Sequence, residues 1–276
     1  MESADDLTEP RQQTVRAVTR AGSIVVALAA QPHPMSVRQL AKIVKLSPAS
    51  THRLLTTLVT MGWVDQNVHT GKYRLGTRLL GIGSMGLITN PIVQNGKALL
   101  IRLSALTGQD AVLSTLVGGR VVHLARIQGV KGRAAEFEPG VSQPAHAMAD
   151  GKVLLAYTPA EERQRIYDLG LRSYTSRTIV DPEALERELA ETRDRGYAID
   201  HGERFEGMGA VGVPVLGSDG MPLLAMLSIG RIEVDEEYLQ WLAEQMLSLA
   251  REMSDQLILM GDMPKPSNEF ARYNLE

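Results

Sequence analysis

Cysteine is absent from all 276 residues. That absence excludes disulfides, thiolate nucleophiles and sulfur-ligated zinc or iron–sulfur centres, and leaves only His, Asp and Glu as metal ligands. Also missing is any apolar run near the ~18 residues that a membrane span needs, and 44% apolar with 22% charged residues predicts a soluble protein. The opening MESADDLTEP is acidic and polar. It lacks the basic start and apolar core of a secretory signal, which predicts a cytoplasmic location. A third scarcity is local: residues 11–90 hold one acid, Asp65, against ten basic residues (Arg11, Arg16, Arg20, Arg38, Lys42, Lys45, Arg53, Lys72, Arg74 and Arg78), a net charge of +9. Residues 1–10 carry −4 and residues 91–276 carry −8, so the overall −3 hides a basic block beside an acidic one. Such a split predicts that one part meets a polyanion while the other does something else. The length suits two domains at roughly 100–200 residues each.

The basic block is patterned. Residues 11–31 fit a helix with Val15, Val18, Ile24, Val25 and Leu28 toward one face, stopped by QPHP at 31–34. Ser36 as N-cap with Gln39 three residues on forms a capping box that opens a second helix. After KLS, Ser47 and Pro48 open a third, SPASTHRLLTTLVTMG. At about 100° per residue this helix turns Thr51, Leu54, Leu55, Leu58 and Met61 toward the core, and Ala49, His52, Arg53, Thr56 and Thr60 away from it. Small, hydrogen-bonding side chains with an arginine suit base edges and phosphates better than plain solvent. Two strand-like stretches around His69-Thr70-Gly71 follow, with Lys72 and Arg74 near the turn. Three helices and a basic β-wing predict a winged helix-turn-helix over residues 11–76, its third helix entering the major groove and its wing on the backbone. The DNA-binding candidates are Arg38, Ser47, Ala49, Ser50, His52, Arg53, Thr56, Lys72 and Arg74.

Residues 77–90, TRLLGIGSMGLITN, read as a flexible or weakly helical linker. Beyond it an acidic domain over 91–259 alternates helices (about 92–107, two Pro-opened helices, and 235–259) with strands. AVLSTLV and RVVHLARI flank Gly118-Gly119 as a hairpin, and GYAID, AVGVPVLG and MPLLAMLSIG follow. The prediction is an α+β domain with a central antiparallel sheet. Leu239, Leu242, Met246, Leu249, Met253 and Leu257 form one stripe of the last helix, for core packing or a dimer contact. Residues 1–10 and 260–276 read as a flexible start and a frayed tail, with Phe270 and Tyr273 able to anchor the tail on a neighbour.

Within PAHAMADGKVLLAY (144–157), His146 and Asp150 could form an acid–base pair, yet no G-x-S-x-G elbow or cysteine accompanies them. Gly151-Lys152 lacks the Ser or Thr and the upstream glycine of a phosphate loop. His123, His146, Asp200, His201 and Glu203 offer hard metal ligands, but only His201 and Glu203 are close in sequence. A ligand pocket remains: Ala145, Ala147 and Ala149 leave room, and a helix from Gly151 to about Tyr157 would present unpaired amides to a carboxylate. No catalytic residue, metal or cofactor is called for. On this reading His146 makes a structural hydrogen bond and Glu203 braces the fold.

LAKIVKLSPASTHRLLTTLVTMGWV, PAHAMADGKVLLA (144–156) and the run from Arg195 to Gly230 together resemble the IclR family of bacterial transcription factors, over about residues 11–258. The resemblance implies a GAF-like effector-binding α/β domain behind the winged helix-turn-helix, and a homodimer or homotetramer on a palindromic operator. It also implies a small organic effector set against Met148, Ala149 and Asp150, Asp200, Ala210, and Leu227, Ser228 and Ile229. Lys45 departs from the family's turn glycine; if left-handed, it costs on the order of 1 kcal/mol. LAMLSIG departs from an alternating pair of serines, having Leu227 and Ile229 there. Leucine, isoleucine, methionine and alanine at these places point to an aromatic or alkyl acid or alcohol. The expected function is a ligand-responsive regulator, a repressor of a catabolic operon, sensing a small organic acid or related metabolite. The rival readings are a ligand-independent DNA-binding protein and an enzyme with a nucleic-acid tether.

Overall fold

A computed structural model describes residues 15–29, 31, 33–130, 135–168, 170–231 and 236–261, in two compact units that divide near residue 81. The N-terminal ten residues, most of the tail, Phe270 and Tyr273 lie outside the described residues. No helix among the described residues is long and apolar enough to cross a membrane.

The smaller unit is built from α1 (Arg16–Ala29), α2 (Val37–Ile43), α3 (Pro48–Thr60), β1 (Val64–Gln66) and β2 (Tyr73–Leu75). The capping box is present: the Ser36 amide donates to Gln39 Oε1 at 2.9 Å and the Gln39 amide to Ser36 Oγ at 3.4 Å. Ser47 Oγ accepts from the Ser50 amide at 3.2 Å, and Pro48 occupies the first turn, where its missing N–H leaves no intrahelical bond unmade. Ile24, Ala27 and Leu28 of α1 pack with Leu40, Leu55, Leu58, Val64 and Tyr73. Two residues of the predicted α1 face, Val15 and Val18, are instead 67% and 70% exposed, because only the C-terminal half of the helix reaches this core. Strands β1 and β2 pair antiparallel from Val64↔Leu75 to Gln66↔Tyr73, and Met35 extends the ribbon by bridging to Tyr73.

Lys45, in the turn between α2 and α3, has φ +51°. It is the one described non-glycine residue with positive φ, and its Cβ meets the crowding that makes this region costly for L residues. Lys45→Gly is therefore expected to stabilise the smaller unit by on the order of 0.5–1 kcal/mol, less glycine's own entropy loss. Urea unfolding followed by Trp63 fluorescence, with Trp241 changed to Phe, measures it; an unchanged midpoint would show that the turn is unstrained.

Of the two readings of residues 77–90, flexible or weakly helical, the helical one agrees with the structure. These residues form α4 (Thr77–Thr89), a continuous helix of 13 residues with none buried. The larger unit continues with α5 (Pro91–Thr107), β3 (Asp110–Val117), β4 (Arg120–Ile127), β5 (Ser142–Pro144), α6 (Ala149–Ala156), α7 (Ala160–Tyr167) and α8 (Pro182–Arg195). It ends with β6 (Ala198–Asp200), β7 (Met208–Leu216), β8 (Pro222–Arg231) and α9 (Glu236–Leu259). The six strands run antiparallel in the order β5-β4-β3-β8-β7-β6. Strand β5 was not foreseen; it is three residues long and ends in Pro144, which an edge position tolerates.

Alternation divides the strands between two cores. Leu113, Val211, Val213 and Met226 face α5 and α9, while Val112, Leu116, Val121, Ala210, Ala225, Leu227 and Ile229 face α6, α7 and α8. The whole α9 stripe from Leu239 to Leu257 is buried in the first core, so of the two expected uses it serves core packing. Six such side chains contribute roughly 10 kcal/mol of gross burial energy, before ordering entropy is subtracted.

Candidate functional site

On α3, Thr51, Leu55 and Leu58 are buried, and Ala49, His52, Arg53, Thr56 and Thr60 are exposed, as the periodicity predicts. Met61 departs from it: at the C-cap, beyond the last turn that packs, it is 39% exposed. Thr56 and Thr60 donate their hydroxyls to the His52 and Thr56 carbonyls at 3.0 Å, leaving oxygen lone pairs outward as acceptors. Ser47 Oγ donates to Ser50 Oγ at 2.9 Å, so this pair of candidates ties down the helix start. Arg38 is exposed on α2. In the wing, Asn67 Oδ1 accepts from the His69 and Thr70 amides at 2.9 Å, which fixes the turn beside exposed Lys72 and Arg74. Arg74 Nε lies 3.8 Å from Asp65 Oδ2, an exposed pair too weak to withhold the arginine from a phosphate.

The other candidates meet on the α6-side face of the six-stranded sheet. Met148, Ala149, Ala210, Leu227 and Ile229 lie in one core, all buried, and Asp150 and Asp200 are buried with them. Two glycines make this possible. A Cβ on Gly212 would sit 2.5 Å from the Ala149 carbonyl carbon, and one on Gly151 would sit 2.1 Å from the Ala145 oxygen. The first turn of α6 is thus pressed backbone to backbone onto β7. Ser228 is not brought to this face: being next to Leu227 and Ile229, it points to the opposite side, where its hydroxyl donates to Gln109 Oε1 at 2.9 Å.

The helix expected from Gly151 begins two residues earlier, at Ala149, and its start is not free for a ligand carboxylate. Asp150 turns its own carboxylate back, accepting from the Gly151 amide at 3.0 Å and from the Ser114 hydroxyl. His146 Nε2 contacts the Arg172 carbonyl at 3.0 Å, the structural bond expected of it, and bonds elsewhere than to Asp150. Glu203 braces the fold, receiving the Lys152 ammonium on Oε1, and its backbone carbonyl accepts from Thr178 Oγ1 at 2.6 Å. Asp200 Oδ1 accepts from the Gly202 and Glu203 amides at 2.9 and 2.6 Å, which shapes the turn after β6. That turn and residues 175–177 border a cleft of about 190 Å³ that none of the predicted effector residues lines. Among the described residues, no group of three His, Asp or Glu could hold a metal ion.

Sequence reasoning missed the buried ion pair of Lys152. Lys152 is 1% exposed, its Nζ on Glu203, 3.1 Å from the Ile199 carbonyl and 3.6 Å from Glu188 Oε1. Burial pushes Asp150 and Asp200 up to about 6 and Glu203 up to about 7, and drives His123 down to about 4. A carboxyl whose folded value is raised costs stability as pH climbs through the interval between its unfolded and folded values. Asp150→Asn removes one such group. Acidification from pH 7.5 to 5 is therefore expected to stabilise the larger unit less in this variant than in the parent chain, by on the order of 1 kcal/mol. Urea unfolding at both pH values checks it; equal pH responses would show that Asp150 titrates normally.

Comparison with known proteins matches both units. Residues 17–68 match the IclR helix-turn-helix domain, and residues 87–255 match the C-terminal domain of bacterial transcriptional regulator IclR. The chain is 34% identical over 234 residues to the HTH-type transcriptional regulator XynR of Escherichia coli K12, covering 84% of this chain and 93% of that protein. To the regulator KdgR of the same organism it is 28% identical over 259 residues, 93% and 97% of the two chains. Among solved structures, an IclR regulator from Alicyclobacillus acidocaldarius aligns with a TM-score of 0.67 at 26% identity, over 88% of this chain and 98% of that one. The Thermotoga maritima IclR aligns at 0.61 and 25% over the same shares. With a DNA-binding and a C-terminal domain each matched in order, the chain belongs to the IclR family of bacterial DNA-binding transcriptional regulators, a family of regulators and not of enzymes.

Proposed function

We propose that this protein represses a catabolic operon in the cytoplasm and is relieved by a small metabolite with an apolar body, an organic acid or a related alcohol. Two or four copies bind a palindromic operator, with α3 in the major groove and the wing on the backbone. The observation that carries the sensing half is the enclosed sheet face beneath Met148 and Ala149, apolar but edged by buried Asp150 and Asp200. Both carboxyls also hold local backbone, and each carries a desolvation cost that a polar group of a ligand on this face would help to offset. The switch is the difference in the effector's affinity for the DNA-bound and released arrangements.

Electrophoretic shift at moderate salt with the DNA upstream of the protein's own gene tests the binding half; no preference over unrelated DNA sinks it. A rise in expression of the adjacent genes on deleting the regulator supports repression, and a fall reverses its sign. Ala149→Leu is expected to weaken the effector response at least tenfold while leaving operator affinity within twofold, since Ala149 is buried in the larger unit among the proposed effector residues; circular dichroism checks that the variant folds. Titrating effector into the shift assay reads both. A chain whose DNA binding ignores every metabolite would instead be a ligand-independent binder.

A further inference from the structure

His123 on β4 is fully buried, and neither Nδ1 nor Nε2 has a hydrogen-bond partner. The neighbouring Arg126, with a side chain 6% exposed, has an unpartnered Nε, although its two terminal nitrogens reach Asp110 and Glu138. Unpaired buried polar atoms are rare in folded proteins and call for an explanation.

Their placement is deliberate in geometric terms. The register passes from Leu113↔Ala125 to Ser114↔His123, so Leu124 is an extra residue that bulges β4. Without the bulge, positions 123 and 126 would face opposite sides of the sheet. With it, Arg126 pairs Val112 and His123 pairs Ser114, and both of those partners face α6, Val112 in the apolar core and Ser114 on Asp150. Val112 in turn pairs Leu227 of β8, so the orphan nitrogens stand on the face that carries Leu227 and Ile229. The ring of Phe137 stacks on the imidazole at 5.3 Å and 18°.

The charges select the complement. Arg126 lies between two carboxylates, so its positive charge is already matched twice and offers little to a third. Burial and the Arg126 charge both keep His123 neutral, with one N–H and one bare nitrogen. A hydroxyl suits such a set, able to donate to the bare nitrogen and to accept from an N–H of either residue; a carboxylate has no proton to donate and adds charge. We propose that His123 and Arg126 hold a hydroxyl group of the effector, which makes the sensed metabolite an apolar alcohol or phenol. This rests on the sensor reading above and narrows its ligand class.

The test uses the full chain and calorimetric titration with phenol, cyclohexanol, toluene and benzoate. A hydroxyl probe is expected to bind at least tenfold tighter than toluene and benzoate. His123→Phe keeps a ring against Phe137 and removes both nitrogens. It should weaken the hydroxyl probe at least tenfold and change toluene less than threefold, whereas His123→Gln, which restores a donor and an acceptor, should recover most of the loss. Circular dichroism checks that both variants fold. The proposal is overturned if toluene or benzoate binds as well as the hydroxyl probes, if no hydroxyl probe binds, if His123→Phe weakens toluene and phenol alike, or if a crystal soaked with phenol shows only water on His123. Benzoate that releases operator DNA independently of His123 would overturn this inference and leave the sensor reading standing. Operator binding that no metabolite alters would remove both.

Discussion

Lys152→Met is expected to cost the larger unit about 3–5 kcal/mol at pH 7.5, the usual penalty for removing one partner of a buried ion pair. The ammonium is 1% exposed and lies on Glu203, itself 4% exposed, and its field lowers both Asp200 and Glu203 against the burial that raises them. Methionine fills the volume but removes the cation that offsets burial at Asp200 and Glu203 and leaves the repulsion of Asp200 on Glu203. The two carboxyls then hold their protons to higher pH, so the penalty grows as pH rises from 5 and shrinks in acid. Denaturant unfolding at pH 5 and 7.5 reads both the size and the slope. Adding Glu203→Gln should restore more than half of the loss; a double variant no better than the single one would mean that packing, and not charge, was removed.

His52→Ala combined with Arg53→Ala is expected to lower operator affinity at least 100-fold. Each good contact to a base edge or phosphate is worth about 1–3 kcal/mol, and both residues are exposed on α3. Fluorescence anisotropy with operator and scrambled duplexes, at two salt concentrations, separates the contributions. Loss of a phosphate contact flattens the salt dependence by about one unit per copy, and loss of a base contact narrows the gap between the duplexes. Affinity within threefold of the parent chain would place recognition elsewhere, on the wing or α2.

Local signals were the legible ones. Ser36 with Gln39, Ser47-Pro48 and Gly118-Gly119 each carry their own geometry within a few residues, and each forms the element expected of it. The α9 stripe was legible as apolar but silent on its partner, because periodicity shows a face and not what covers it. For the same reason Val15 and Val18 were misjudged: a helical stripe continues past the point where its core ends. The start of α6 left no sequence mark, since Met148 caps it without a side-chain bond. Ser228 came with Leu227 and Ile229 through the family resemblance, and the two-residue alternation of a strand separates it from them, turning it to Gln109. The buried ion pair was illegible: Lys152 meets Glu188 and Glu203 across 36 and 51 residues of chain. The bulge that turns His123 inward shows only once β4 is laid against β3.

The contact of Gly212 with Ala149 also limits how this scaffold can be retuned. With backbones already touching there, α6 has no further to move toward the sheet, and glycine has no smaller replacement. If the effector sits on this face as proposed, closer approach of α6 is closed to a variant selected for a smaller effector, and trimming Met148, Leu227 or Ile229 is the route to a larger one that leaves this contact in place. Libraries that leave 151 and 212 as glycine and diversify those three positions sample the changes this architecture permits.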